Sequence, residues 1–190
     1  MRPVLIFGAS RGVGLLLAQQ LRKEGVPVFA MLRPGAQRAD LDAQGVHVVG
    51  GDAFSFADVE QAFALSLAEL DVVSTLGGRG ASGRYVDEDG NINVIDCARV
   101  HKIVRFVLVT SIGCGEMAPY RSERAIAAFG AAVDAKTRAE EHLKRTIPSG
   151  TIIRPGGLRS EPATGRGILT TDPAMHGFIN RADMADLVVR

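Results

Sequence analysis

Hydrophobic positions along this chain fall into short runs separated by longer stretches with helical spacing. Val4-Leu5-Ile6-Phe7 is too short for a buried helix, ends at a glycine cluster and reads as a buried strand. Leu15, Leu16, Ala18, Gln19, Leu21 and Arg22 then carry a helix that stops at Gly25. Val26 to Leu32 is the second predicted strand, and Val46 to Val49 is the third, ended by Gly50-Gly51. Residues 58–67 place Val59, Ala62, Phe63 and Leu67 on one helical face. Asp71 to Leu76 forms a fourth strand closed by Gly77-Gly78, and Asn93 to Val100 a helix with Ile95 and Ala98 toward the core. Ile103 to Thr110 is the longest strand candidate, and its valines suit a central position covered on both faces. A long helix over Ala131 to Thr146 precedes a sixth strand, Thr151 to Ile153, stopped by Arg154-Pro155-Gly156-Gly157. After Gly156 the pattern is irregular until a helix over Ala182 to Val189.

Strands alternating with helices imply right-handed crossovers. The expected fold is α/β, a Rossmann doubly wound parallel sheet with helices on both faces, in a single domain over residues 1–190. Within it, residues 1–155 form the dinucleotide-binding core and 156–190 a substrate-side segment. The closing run Leu187-Val188-Val189-Arg190 is expected to lead into further structure. Specificity is expected in the loops at 77–90, 113–130 and 157–180, because loops beyond the strand ends carry function on such sheets.

Composition narrows the class. The 190 residues are 46% hydrophobic and 23% charged, an ordinary globular balance. A net charge of +1 provides no global field for nucleic acid or anionic membrane, so neither is an expected partner. Two cysteines, Cys97 and Cys114, give neither a disulfide framework nor metal spacing. The histidines His47, His101, His142 and His176 are scattered, and no metal site is expected. No apolar run reaches membrane-spanning length, and Val4 follows the start too closely for a signal peptide, so a cytoplasmic protein is the default. The expected partner is a small-molecule substrate, and the expected state a monomer or homodimer.

The chemistry begins at Gly8-Ala9-Ser10-Arg11-Gly12-Val13-Gly14, which follows a strand and opens a helix. Gly8 lets the chain turn off the strand, Gly12 removes a side chain where a pyrophosphate approaches, and Gly14 permits close packing of helix on sheet. The helix N-terminus offers free N–H groups and a positive dipole end. Gly8, Ser10, Arg11, Gly12, Val13 and Gly14 are therefore candidate cofactor contacts; the alternative is a tight glycine turn without a ligand. NAD-binding sites place an acid at the end of the second strand, about 20 residues on. Here that end carries Arg33, a fork suited to a 2′-phosphate, with Arg11 and Arg38 as further cations. NADP(H) is thus the preferred cofactor and NAD(H) the second; the alternative is that these arginines are ordinary surface.

With the residues set out, the sequence resembles the short-chain dehydrogenase/reductase superfamily over nearly its whole length. The spacing Gly8-x-x-x-Gly12-x-Gly14 looks like the catalytic subgroup. The remainder is similar to the atypical NAD(P)H-binding branch that includes biliverdin reductase B (flavin reductase) and NmrA-like proteins. Gly51-Asp52-Ala53, Val107 to Gly113, Lys136-x-x-x-Glu140-x-x-Leu143 and Ile152 to Leu158 carry that likeness. Arg11 departs from it, standing where atypical members more often have a glycine. The resemblance implies that Asp52 and Ala53 adjoin the adenine and that Thr75, Leu76 and Gly77 line ribose and pyrophosphate. It likewise implies that Ser111 faces the nicotinamide, Lys136 reaches the nicotinamide ribose, and Pro155, Gly156, Gly157 and Leu158 pass beside the carboxamide. Taken alone, Asp52 also reads as a turn carboxylate, and Lys136 as a surface lysine paired with Glu140.

The catalytic subgroup uses Ser, Tyr and Lys, with the tyrosine four residues before the lysine. Here that position is Ala132, which has no proton to give, and Tyr85 and Tyr120 both fall in expected loops. What remains is hydride chemistry that needs little acid catalysis, with Ser111 and Lys136 as the catalytic candidates. The expected function is NADPH-dependent reduction of a planar conjugated molecule such as a flavin, quinone or tetrapyrrole. A redox sensor that binds NAD(P)H without turnover fits the same features; an isomerase or dehydratase is opposed by Ala132. Cys114 reads as an inert small residue.

Overall fold

The structure, a computed structural model, describes residues 1–65 and 69–190. Leu67 of the expected third-crossover helix lies outside these residues. In chain order the elements are β1 (Val4–Phe7), α1 (Gly12–Lys23), β2 (Val28–Leu32), α2 (Ala39–Ala43), β3 (His47–Gly50), α3 (Phe56–Phe63) and β4 (Leu70–Ser74). There follow α4 (Asp89–Val100), β5 (Ile103–Val109), α5 (Glu123–Thr146), β6 (Thr151–Ile153), β7 (Gly157–Arg159), β8 (Phe178–Asn180) and α6 (Arg181–Val189). A 3-10 turn, Gly115–Tyr120, leads from β5 toward α5.

Among the described residues β1 to β6 form one parallel sheet in the order β3-β2-β1-β4-β5-β6. The protein has the expected Rossmann architecture. The order reverses between β1 and β4, whose pairing runs from Val4 opposite Asp71 to Phe7 opposite Ser74. A crevice therefore opens beyond Phe7 and Ser74, where doubly wound sheets bind ligands.

Every residue of β1 is buried because helices cover both faces. Leu5 and Phe7 point into one core layer with Val59 and Phe63 of α3, Ile95 of α4 and Leu143 of α5. Val4 and Ile6 point into the other, with Leu17 and Leu21 of α1 and Met184 and Ala185 of α6. The alternation follows from the period of two along a strand.

Several boundaries differ from the sequence expectation. β5 is the longest strand but lies next to the edge, and Val104 and Arg105 in its first half are exposed because β6 pairs only with Val107–Val109. The loop expected through Gly90 ends earlier, since α4 begins at Asp89 and buries Gly90. α5 begins at Glu123, eight residues before the first expected position, because Ser122 accepts a hydrogen bond from Ala125 N and caps it. The segment after Gly156 contains a second, two-stranded parallel sheet of β7 and β8. Gly157 allows this pairing: a Cβ there would stand 2.5 Å from the Phe178 ring.

Candidate functional site

The crevice is a cavity of about 1380 Å³. That exceeds the ~300–1,000 Å³ of a drug-sized pocket and leaves room for a dinucleotide beside a second small molecule.

Its floor is the glycine turn. Gly8 has φ +90 and Gly12 φ +62, in the left-handed region that glycine tolerates. Thr75 fixes the turn to the end of β4: its N–H donates to Phe7 O at 2.9 Å, and its hydroxyl lies 3.2 Å from both Phe7 O and Gly8 O. A Cβ at Gly8 would stand 2.6 Å from Thr75 Oγ1, and one at Gly14 would collide with Gly8 O. Gly14 accordingly lies in the core beneath the cavity, while Gly8, Ser10, Arg11, Gly12 and Val13 line it. At Gly12 a Cβ would point into the cavity, with only the Arg181 side chain, 3.7 Å away, within reach. α1 has no side-chain N-cap and no acid in its first turn, which leaves its N-terminal N–H groups and dipole available to an anion. The residues fit a pyrophosphate.

On one side of this floor the cavity reaches Arg33, Asp52 and Ala53. A Pro34-Gly35 turn, in which Ala36 N donates to Arg33 O at 3.0 Å and Gly35 has φ +78, bends the chain away after β2. It leaves Arg33 exposed at the rim. Arg38 is not part of the site: it forks onto Asp42 at 2.7 and 2.8 Å on the surface. Asp52 is a turn carboxylate at the cavity edge: its Oδ1 accepts from Phe54 N at 3.0 Å.

On the other side Thr75, Leu76 and Gly77 meet Ser111, Lys136 and the Pro155–Leu158 segment. Lys136 does not pair with Glu140. Its Nζ lies 2.5 Å from Oδ1 of Asp87, a carboxylate 2% exposed whose Oδ2 accepts from Gly78 N at 2.7 Å. A Cβ on Gly77 would stand 3.2 Å from both partners, so glycine lets the pair approach the loop after β4. The pair is further secured from below: Asn91 Nδ2 donates to Asp87 O at 2.8 Å, and Ser74 Oγ donates to Asn91 Oδ1 at 2.5 Å. Asp87 was not legible in sequence, because an isolated acid before a helix has no diagnostic spacing.

Glu140 serves the scaffold. It is fully buried, accepts from Thr110 Oγ1 at 2.6 Å and is held by Arg154. This contact locks the end of β5 to the end of β6, and Ile112 N donating to Pro155 O at 2.9 Å extends the lock to the loops. Ser111 and Pro155 thereby face the cavity from adjacent strand ends. The Ser111 hydroxyl lies 3.6 Å from the buried Cys114 sulfur. Burial, reinforced by the Glu140 charge, pushes the Cys114 thiol up, so it is an inert neighbour.

Ala132 and Lys136 line the cavity from one face of α5. The helix thus presents a methyl group where a proton-donating tyrosine would stand. Tyr120, at the end of the 3-10 turn and 48% exposed, also borders the cavity; Tyr85 does not, and instead lies beneath Arg79, whose guanidinium carbon is 5.6 Å from the ring centroid. Ile112, Phe129 and Leu158 add apolar wall at this end; His176 and, over Gly12, Arg181 also line the cavity. No local pattern marked Phe129, His176 or Arg181 as site residues.

The NAD(P)H-binding family matches residues 8–190 of the chain. Among solved structures, the anaerobilin reductase ChuY of Escherichia coli O157:H7 is 39% identical, with 98% of this chain and 88% of that one covered at a TM-score of 0.90. ChuY of E. coli strain CFT073 is 38% identical, covering 100% and 89%, at a TM-score of 0.86. The uncharacterized sugar epimerase YhfK of Bacillus subtilis is 30% identical over 195 residues, 98% of this chain and 86% of that protein. Among the described residues no helix is long and apolar enough to cross a membrane.

Proposed function

The chain belongs to the NAD(P)H-binding family, and on that footing we propose that it is an NADPH-dependent reductase of a planar, conjugated small molecule of the linear tetrapyrrole class. The observation that carries the reading is the face of α5: Lys136 is kept at the cavity while the position one turn earlier is Ala132. A reductase of carbonyls, or an epimerase, needs a positioned acid there. A conjugated acceptor does not, since solvent can protonate the product. The likeness to ChuY in identity, coverage and TM-score favours a tetrapyrrole over a flavin or quinone.

When bound, the dihydronicotinamide supplies a hydride to an electron-poor carbon of the acceptor. The chain's own residues align and enclose. Gly8 to Val13 and the α1 N-terminus receive the pyrophosphate, and Arg33, with Arg11, receives the 2′-phosphate. Asp52 and Ala53 adjoin the adenine. Lys136, held in place by Asp87, donates to the ribose hydroxyls, and Pro155 to Leu158 flank the carboxamide. Ser111 orients the acceptor by one hydrogen bond, and Ile112, Phe129 and Leu158 exclude water from its apolar face.

The test is anaerobic NADPH oxidation with an anaerobilin, biliverdin, FMN and a quinone as separate acceptors. The reading expects a linear tetrapyrrole to be turned over fastest and NADPH to outperform NADH. Turnover of a nucleotide sugar would replace it with the epimerase reading. NADPH binding without consumption by any acceptor would replace it with a sensor.

A further inference from the structure

Arg181 opens α6, far in sequence from the glycine turn, yet its side chain stands over Gly12. A Cβ built on Gly12 would lie 3.7 Å from Arg181 Nε and 3.8 Å from Cδ. One end of the guanidinium is anchored: Nη1 donates to Leu158 O at 3.3 Å and to Ser160 Oγ at 2.9 Å. Nε and Nη2 have no partner among the described residues, and the residue borders the same cavity as Arg11 and Val13. The aligned N–H groups of α1 approach an anion from one side only. A planar fork facing them from α6, with two donating nitrogens unspent, supplies the opposite side.

We propose that Arg181 is a ligand of the dinucleotide pyrophosphate, and that through Leu158 and Ser160 it couples cofactor binding to the placement of the β7 segment bordering the acceptor space. The proposal rests on the dinucleotide reading above and adds a residue outside the glycine motif. The connection is direct: one guanidinium touches the phosphate with its free edge and the β7 segment with Nη1. Cofactor binding and the placement of the acceptor wall are thereby linked, each favouring the other.

The experiment titrates NADPH and adenosine 2′-monophosphate, which has the 2′-phosphate but no pyrophosphate, against the parent, Arg181→Gln and Arg181→Lys. One charge-assisted contact contributes about 1.5–3 kcal/mol, so Arg181→Gln is expected to weaken NADPH roughly 10–100-fold, and Arg181→Lys less. Adenosine 2′-monophosphate is expected to bind parent and Arg181→Gln alike. Melting temperatures without ligand show that the variants are folded. The second readout is trypsin cleavage after Arg166, an exposed site in the segment between β7 and β8. NADPH at saturating concentration is expected to slow that cleavage in the parent and not in Arg181→Gln. Parental NADPH affinity in Arg181→Gln overturns the proposal, as does an equal loss for both nucleotides, which would make Arg181 a purely structural residue. Equal protection by NADPH in both proteins overturns the coupling. A parent that binds adenosine 2′-monophosphate and no dinucleotide overturns the dinucleotide reading itself and the proposal with it.

Discussion

Arg154 grips the fully buried carboxylate of Glu140 from two nitrogens, with Nε 3.0 Å from Oε1 and Nη2 2.7 Å from Oε2. The Glu140 hydrogen bonds raise the Arg154 pKa against the opposing effect of burial. Replacing Arg154 by leucine leaves the buried Glu140 carboxyl group with only Thr110 to meet it. The expected loss is about 3–5 kcal/mol in urea unfolding, and the double variant Arg154→Leu/Glu140→Leu is expected to recover most of it. A single variant of parental stability would show that the pair does not secure the strand ends.

Glu116 takes the outer side of the same guanidinium, with Arg154 Nη2 2.9 Å from its Oε2. The Arg154 hydrogen bond holds its carboxyl at about 2, below an ordinary value of 4.5. A lowered folded-state pKa stabilises the fold fully above the unfolded value and loses that contribution as pH falls through the folded one. The stability difference between parent and Glu116→Gln is therefore expected to be constant above about pH 5 and to shrink between 4.5 and 2. Glu116 is mostly exposed, so the plateau should stay below about 1 kcal/mol. Urea midpoints across that pH range provide the check.

Cofactor choice should follow Arg33. The parent is expected to bind NADPH at least about tenfold more tightly than NADH, the effect of one charge-assisted contact, and Arg33→Asp to flatten or invert that order. Arg38→Ala should leave it unchanged, because Asp42 already occupies that guanidinium. Equal parental affinities would remove Arg33 from the site.

Proton supply is testable at three side chains. Tyr120→Phe is expected to retain most of the turnover, although Tyr120 borders the cavity. Ser111→Ala should cost a moderate factor, within the ~10²–10⁴ of a positioned acid or hydrogen bond. Lys136→Ala should weaken cofactor binding and also lower stability, since it strands the buried Asp87 carboxylate. Loss of turnover in Tyr120→Phe with NADPH binding intact would install the tyrosine as the acid.

Neither thiol should react in the native protein. Burial pushes Cys97 up to about 12 and raises Cys114 as well, and both are fully buried. Iodoacetamide at pH 8 is expected to label them only after denaturant is added; rapid native labelling of Cys114 would reopen a role for it beside Ser111.

The sheet and the glycine turn were legible because each rests on local pattern: apolar runs of strand length, glycines at fixed intervals and a helix directly behind. Helix starts were less so. α5 is capped by Ser122, and the apolar side chains of its first two turns, Ile126 and Phe129 among them, stay exposed and form no core-facing stripe. The partners of Lys136 and Glu140 were not legible. Spacing on one helix offered each to the other, yet tertiary geometry gives Lys136 to Asp87 and Glu140 to Arg154. Arg181 escaped notice for the same reason, since its relation to Gly12 exists only after the chain has closed on itself.

That closure has a temporal side. α1 is synthesised well before α6, but Leu17, Ala18 and Leu21 share their core layer with Met184 and Ala185 of α6. During synthesis from the N-terminus, the part of the α1 stripe that meets Met184 and Ala185 stays uncovered until α6 emerges. Native docking of the phosphate-binding helix is thus postponed until α6 has emerged.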